Sequence, residues 1–444
     1  MSESARAEPD GLPQPRRAYA SICMSAGIAI SVLDASMVNI ALPSAARSLE
    51  LTPAEVIWVV NAFQITVVGM LIPFSSLGEI LGFKRVWSFG LALFLVGAVG
   101  SALAPSFGVL LATRVVQGFG AAAVMSLLSA LIRHSYPAKQ LGQAIGNNAM
   151  VVALCSAAGP SIGAAVLAVA PWPFVFAAHV PIGVAALVFG VRHLPDVPPH
   201  RRPFDILSAG LNVAAFGLAF LGLDLLLHRP AVGALLLVWG IACGAALVWR
   251  EMSRQTPMLP LDLLRVRPIR LAVVASSCMF AVHILVAINM PFHLSAAGFT
   301  PLQIGLIITP YPIAIGLLAP IAGRLSDRLP SALPCAIGGG MLACAMVLLA
   351  FLPPDRPELI CPTLLLAGIG FGFFQAPNNR AIIVNAPRQR AGGAGGLQAT
   401  ARVLGQAFGA TTAAACFTLA GPWLAFLCGS VLAVMSAVAS LSRR

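Results

Sequence analysis

PAKQLGQAIGNNA, residues 137–149, and PRQRAGGAGGLQA, residues 387–399, carry one pattern twice. Pro137, Gly142, Ala144, Gly146 and Ala149 recur as Pro387, Gly392, Ala394, Gly396 and Ala399, at an offset of 250. The register extends outward in both directions. Gly118, Gly120 and Gly159 recur as Gly368, Gly370 and Gly409. At an offset of 248, Pro43, Thr52 and Pro53 recur as Pro291, Thr300 and Pro301, and Leu77-Gly78-Glu79 as Leu325-Ser326-Asp327. Glycine and alanine are common, so no single pair decides anything. A nearly constant register across five segments does, and it makes the chain an internal duplication.

The duplicated unit is apolar. Of 444 residues, 59% are hydrophobic and 9% charged, against about 25% charged in a soluble domain. Fourteen segments approach the ~20 apolar residues that a spanning helix needs: approximately 18–42, 54–77, 86–105, 108–133, 141–167, 173–192, 206–227, 231–249, 269–291, 303–325, 333–352, 359–383, 392–416 and 420–440. Spans 1–6 match spans 9–14, and spans 7–8 are an insertion. The expected organisation is a tail (1–17), a six-helix bundle (18–192), a linker with two extra spans (193–268) and a second six-helix bundle (269–440). The fold class is therefore an all-α polytopic membrane protein, and parallel six-span repeats are the plan of major facilitator transporters.

The net charge of +12 invites a nucleic-acid reading, but the basic residues sit in short loops and form no continuous face. Topology explains them. With the N-terminus inside, 22 of 27 Lys and Arg fall in cytoplasmic segments; Arg47, Arg229 and Arg356 are outside, and Arg114 and Arg402 lie within spans. That bias follows the positive-inside rule, and Trp87, Trp172, Trp249 and Trp423 at span ends suit the interfacial belt. The expected setting is a plasma (inner) membrane with both termini cytoplasmic. Nine cysteines form no CxxC pair and no ligand-spaced set with histidine, so no metal and no cofactor are expected.

Ionisable residues inside spans mark function. Span 1 reads LDASMVNIALP (33–43), with Asp34 roughly 13 Å below the outer boundary at 1.5 Å per residue. Span 4 reads RVVQGFG (114–120), which puts Arg114 at similar depth, able to hold Asp34 ionised until a proton or substrate displaces it. A fixed structural ion pair is the alternative for both. In span 5, Gly159 and Gly163 frame a GxxxG step for close helix approach, and Pro160 bends the helix; packing and gating merge there. Gly159–Gly163 also matches the GxSxG pattern at Ser161 but lacks the strand-turn-helix context of a hydrolase. After span 2, Glu79 precedes Lys84 and Arg85; after span 10, Asp327 lies between Arg324 and Arg328. Carboxylates beside basic residues at helix ends can latch neighbouring helices, or can be solvated topology charges.

LDxxxVNxALP in span 1, RxxQGxG in span 4, GP with flanking glycines in span 5 and QAPNNR (375–380) in span 12 together resemble the major facilitator superfamily, in particular its fourteen-span drug:proton antiporter branch. The resemblance runs from about residue 20 to the end. It implies proton coupling through Asp34 and Arg114, antiport through the span-5 signature, and a cavity-facing Asp34. The sequence departs from the family pattern at Glu79, Ile80 and Phe83 in the loop motif, and at Cys155 and Ala164 in span 5.

Asn39, Gln117, Asp224, His283, Phe374, Asn378 and Asn379 complete the candidate substrate contacts. His283 lies within two positions of the repeat equivalent of Asp34; a buried neutral histidine with one hydrogen bond is the plain alternative. Asp224 and His228 also suit an interfacial pair, and Arg402 suits a local bond beside Thr400 and Gln406. The expected function is proton-driven export of small molecules, lipophilic cations first among them, by a monomer in a lipid bilayer using alternating access; an importer or facilitated-diffusion carrier is the rival. A membrane enzyme would need a nucleophile with its base or a metal cluster, a channel a continuous polar pore, and a receptor a sizeable soluble domain. The sequence has none of these.

Overall fold

The computed structural model describes residues 11–199, 203–226, 229–252, 258–419 and 421–443. Among them no strand occurs. The helices are α1 (Arg16–Ser48), α2 (Pro53–Leu81), α3 (Phe83–Ala102), α4 (Phe107–Ser135), α5 (Leu141–Val169), α6 (Pro173–Ala177), α7 (Val180–His193), α8 (Ile206–Leu226), α9 (Pro230–Met252), α10 (Leu261–Leu264), α11 (Arg267–Ala296), α12 (Pro301–Ile308), α13 (Pro310–Arg328), α14 (Ala332–Phe351), α15 (Pro357–Asn385), α16 (Ala391–Leu419) and α17 (Pro422–Leu441). Thirteen helical stretches among the described residues are long and apolar enough to cross a membrane. α16 has the length, at 29 residues, but Gln398, Arg402, Gln406 and a glycine run dilute its apolarity. It completes the fourteen-helix plan.

The duplication shows in the packing. In the first half α1 packs on α5 and α7, α4 on α2 and α3, and α3 on α7. In the second, α11 packs on α16 and α17, α15 on α13 and α14, and α14 on α17. The halves meet where α13 lies on α5 and, at the equivalent place, α2 on α16. Local chemistry repeats as well. Thr52 caps α2 in a capping box with Glu55, and Thr300 caps α12 in one with Gln303. In each, the hydroxyl and the backbone of the cap exchange hydrogen bonds with the residue three positions on.

Two expected spans are broken, each by a proline that removes a backbone donor. Span 6 divides into α6 and α7 at Ala178–His179, just before Pro181. Span 10 divides into α12 and α13 at Thr309, just before Pro310. Both breaks set side chains of the site described below.

The inserted pair α8–α9 packs on itself and on α2, where Asn212 Nδ2 donates to the Gly69 carbonyl at 2.7 Å. Trp249 and Trp423 are exposed, as interfacial residues would be. Trp87 and Trp172 are not. Trp87 is completely buried, because Gly27 and Gly190 leave its indole the space their Cβ atoms would fill. A tryptophan near a helix start is drawn into the core when two facing helices carry glycine there.

Candidate functional site

α1, α2, α4 and the α6–α7 break converge on Asp34. Its carboxylate accepts from Arg114 Nη1 at 2.7 Å and from Gln117 Nε2 at 2.9 Å. Arg114 Nη1 also donates to Gln117 Oε1 at 2.7 Å, and Arg114 Nε to the Val59 carbonyl at 3.0 Å. Helical spacing puts Arg114 and Gln117 on one face of α4, three residues apart. Asp34, Arg114 and Gln117 are all 0% exposed. The guanidinium lies 4.3 Å from the centroid of Phe63 and 5.5 Å from that of Phe176, so aromatic faces add to the carboxylate in holding it.

His179, at the break between α6 and α7, completes this cluster. Its Nε2 stands 3.8 Å from Asp34 Oδ1, its ring packs against Phe94, and neither ring nitrogen has a hydrogen-bond partner among the described residues. Sequence reasoning missed it. The available signal was Pro181, which opens the helix two residues later and frees His179 from helical phase.

The cluster is sealed off from the space between the halves. A central cavity of about 360 Å³ is walled by α1, α2, α4 and α5 on one side and α11, α13, α15 and α16 on the other. Ser31, Ala35 and Ser36 of α1 line it, but Asp34 does not. The expectation of a cavity-facing Asp34 is thus corrected: the carboxylate turns into its own bundle, where Arg114 and Gln117 satisfy it. From the second half come Phe280, His283, Phe371, Gln375, Arg402 and Gln406. His283 Nδ1 and the Tyr311 hydroxyl are 2.9 Å apart, and the His283 ring stacks on Phe371 at 4.9 Å. Tyr311 reaches this point because α13 restarts at Pro310.

The other candidate contacts separate. Asn379 lines a smaller adjoining cavity of about 80 Å³. Gln117 belongs to the Asp34 cluster. Asn39 is exposed and donates to its own helix at Ala35. Phe374 is buried in the second core, whereas Phe371, three residues earlier on α15, lines the cavity. Asn378 ties α15 to α11 through the Ala272 carbonyl and to Arg443. Asp224 lies in α8; its side chain, and His228 entirely, fall outside the described residues. Arg402 makes no local bond with Thr400 or Gln406: Thr400 donates to the Gly396 carbonyl, and Arg402 opens onto both cavities.

On the face carrying the basic loops, the two halves are held by matched carboxylates. Glu79, at the end of α2, accepts from the Gly393 amide at the start of α16 at 2.7 Å and from Arg390 at 3.2 Å. Asp327, at the end of α13, accepts from the Gly142 and Gln143 amides at the start of α5 at 2.8 and 3.0 Å, and from Arg380 at 2.9 Å. Each carboxylate thereby caps the exposed amides of a helix in the opposite half, where the helix dipole favours a negative charge. The methylene that distinguishes Glu79 from Asp327 does not prevent it from reaching. Arg390 also holds Asp262 at 2.7 Å, drawing the linker into the same knot. Ser75 donates to the Gly392 carbonyl and Ser129 to Gln398 close by.

The cations partnering these carboxylates are Arg380 and Arg390. Arg85, Arg324 and Arg328 are exposed, and Lys84 pairs with Asp196 at 3.1 Å inside the first half. Gly159 and Gly163 bring α5 onto Ser36 and Met37 of α1, again within one half, and Pro160 is exposed beside them. The close crossing between halves lies elsewhere, at Gly142 and Gly323. A Cβ on either would stand 2.1–2.2 Å from the carbonyl oxygen of the other.

With this geometry in hand, the comparisons are specific. The family model described as Major Facilitator Superfamily matches residues 24–410. The chain is 40% identical over 445 residues to an uncharacterized transporter of Escherichia coli K12, YebQ, covering 98% of this chain and 97% of that one. It is 28% identical to the riboflavin transporter RibZ of Clostridioides difficile, covering 87% and 85%. It is 29% identical to the multidrug resistance protein Stp of Mycobacterium tuberculosis, covering 87% and 73%. Among solved structures, the human organic anion transporter MFSD10 superposes with a TM-score of 0.67 over 96% of this chain and 100% of that one, at 15% identity, a likeness of fold.

Proposed function

Since the chain belongs to the major facilitator superfamily, a family of transporters, we propose that it couples export of small amphipathic molecules to proton entry by alternating access. In this reading the bundles 18–192 and 269–440 rock about the central cavity as a monomer. The basic face is cytoplasmic, the membrane is the bacterial plasma membrane, and the latched arrangement is the state closed to the cytoplasm.

One observation carries the coupling. Asp34 and Arg114 form a fully buried ion pair beside, but not in, the central cavity. A buried pair of this kind is a costly way to build stability, since replacement by apolar residues is often neutral or better. It is well suited to a site where protonation of the carboxylate switches the packing of α1 against α4. Export of drug-like cargo is supported by the motif resemblance and by the relative named for multidrug resistance. Cationic cargo finds no support in the cavity lining, which contains no carboxylate among the described residues.

The test is proton flux in proteoliposomes holding a trapped pH-sensitive dye, on adding each member of a chemically diverse panel. Substrate-dependent proton movement that disappears in Asp34→Asn is expected. Substrate counterflow indifferent to a pH gradient, and unchanged in Asp34→Asn, would establish the facilitated-diffusion carrier instead.

A further inference from the structure

Among the described residues Arg402 is the one charged side chain lining the central cavity, and it also lines the adjoining small cavity. It has no hydrogen-bond or ion-pair partner among the described residues, whereas the second intramembrane arginine, Arg114, has five hydrogen-bonded or aromatic partners. A guanidinium in a low-dielectric site is costly unless an anion joins it. Asp34, the carboxylate of the opposite bundle, is already taken by Arg114 and Gln117 and is sealed from the cavity. The only other titratable lining group among the described residues is His283, held by Tyr311.

We propose that Arg402 is the anchor of the substrate site and that the substrate class is organic anions: a planar aromatic body bearing a carboxylate or similar acidic group. The rest of the lining fits that shape. Tyr311, His283 and Phe371 form a stack, and Phe280 meets Phe371 edge-on at 5.4 Å, which gives the cavity an aromatic wall for a planar ring to pack against. Gln375 and Gln406, on the same half as Arg402, offer amides for the substrate's remaining polar groups. A cavity of about 360 Å³ lies within the ~300–1,000 Å³ of small-molecule sites. The guanidinium fork matches a carboxylate in bidentate fashion, which a lysine would not. At the repeat offset of 250, Arg402 corresponds to Val152, so only one half supplies the charge.

This assignment rests on the alternating-access reading only in taking the central cavity as the substrate site, and its test needs no gradient. Equilibrium binding to the purified full-length protein is measured by calorimetry for three matched sets: benzoate, 2-naphthoate and 2-anthroate, their amides, and aryl-trimethylammonium ions of the same rings. At least one carboxylate should bind about ten- to a hundredfold more tightly than its amide, the worth of hydrogen bonds to a charged partner. Arg402→Gln should abolish that preference while leaving amide affinity within about twofold, and Arg402→Lys should keep part of it. Absence of any carboxylate preference in the wild-type protein overturns the proposal, whether through equal binding, no binding or tighter binding of the ammonium series, and this arm needs no variant to fold. So does a preference that survives Arg402→Gln. Because the binding assay reads the wild-type protein without a gradient, failure of proton coupling and failure of anion recognition are read separately.

Discussion

Replacing Asp34 with asparagine removes a charge at nearly constant volume and leaves Arg114 buried without its anion. At an effective dielectric constant of ~20, unit charges 2.7 Å apart attract by about 6 kcal/mol, an attraction already offset in large part by desolvation of both groups. Breaking one partner of such a pair strands the other, and typically costs about 3–5 kcal/mol. The asparagine amide can still accept one bond from Arg114 or Gln117, so the lower end of that range is expected. The Arg114→Gln single variant should lose a similar amount. The double variant strands no charge, and a glutamine at 114 can still donate to the Val59 carbonyl; it should recover at least half of the loss, a coupling of about 2 kcal/mol or more between the sites. Unfolding by detergent titration in mixed micelles, followed by circular dichroism, measures all four corners of the cycle. Simple additivity, or an Asp34→Asn variant as stable as the wild type, would refute the claim that these two charges sustain each other.

Three further outcomes follow from the inter-bundle contacts. Glu79→Gln or Asp327→Asn removes a helix-capping charge worth about 1.5–3 kcal/mol per charged hydrogen bond; a cysteine placed at Ser129 in a background without native cysteines should then be modified at least tenfold faster from the basic face, and an unchanged rate would clear both carboxylates of latching. Gly142→Val should abolish transport and leave the basic face open, because its Cβ would overlap the Gly323 carbonyl; Gly305→Ala, with no atom within 4 Å of the new Cβ, should transport normally, and equal effects of the two would remove the crossing from the mechanism. Cysteines at Arg47 and Arg356 should react with impermeant reagents from outside the cell and one at Arg85 only from inside; the reverse pattern would invert the topology.

What could be read from the sequence was whatever depends on spacing along the chain. Apolar run lengths placed the helices, the offsets of 248 and 250 announced the matched halves, and depth below the membrane boundary put Asp34 level with Arg114. What could not be read depends on which way a side chain turns. Asp34 was expected to face the cavity, and the rotation of α1 takes it into the bundle. Phe374 was an expected substrate contact in α15, but it turns into the core while Phe371, almost one helical turn away, lines the cavity. Arg324 and Arg328 neighbour Asp327 in sequence, but the cation that reaches it is Arg380, two helices on. His179 escaped notice because a helix break, rather than helical periodicity, aims it. The sequence around Arg402 suits a local bond; its lack of a partner among the described residues is a property of everything around it, and no window of sequence contains that.

The matched helix contacts of the two halves carry a consequence for ancestry and for engineering. The scaffold is symmetrical, but its chemistry has been divided between the siblings: Asp34, Arg114 and His179 are in the first, and Arg402, His283, Tyr311 and Phe371 in the second. A hybrid made of two first halves would inherit compatible seams, because Glu79 and Gly142 sit at equivalent places to Asp327 and Gly392. It would carry two buried Asp34–Arg114 pairs and no guanidinium in its central cavity. The converse hybrid would carry two cavity guanidinium groups and no buried Asp34–Arg114 pair. Duplication gave this chain its architecture, and specialisation since then has made each copy irreplaceable by the other.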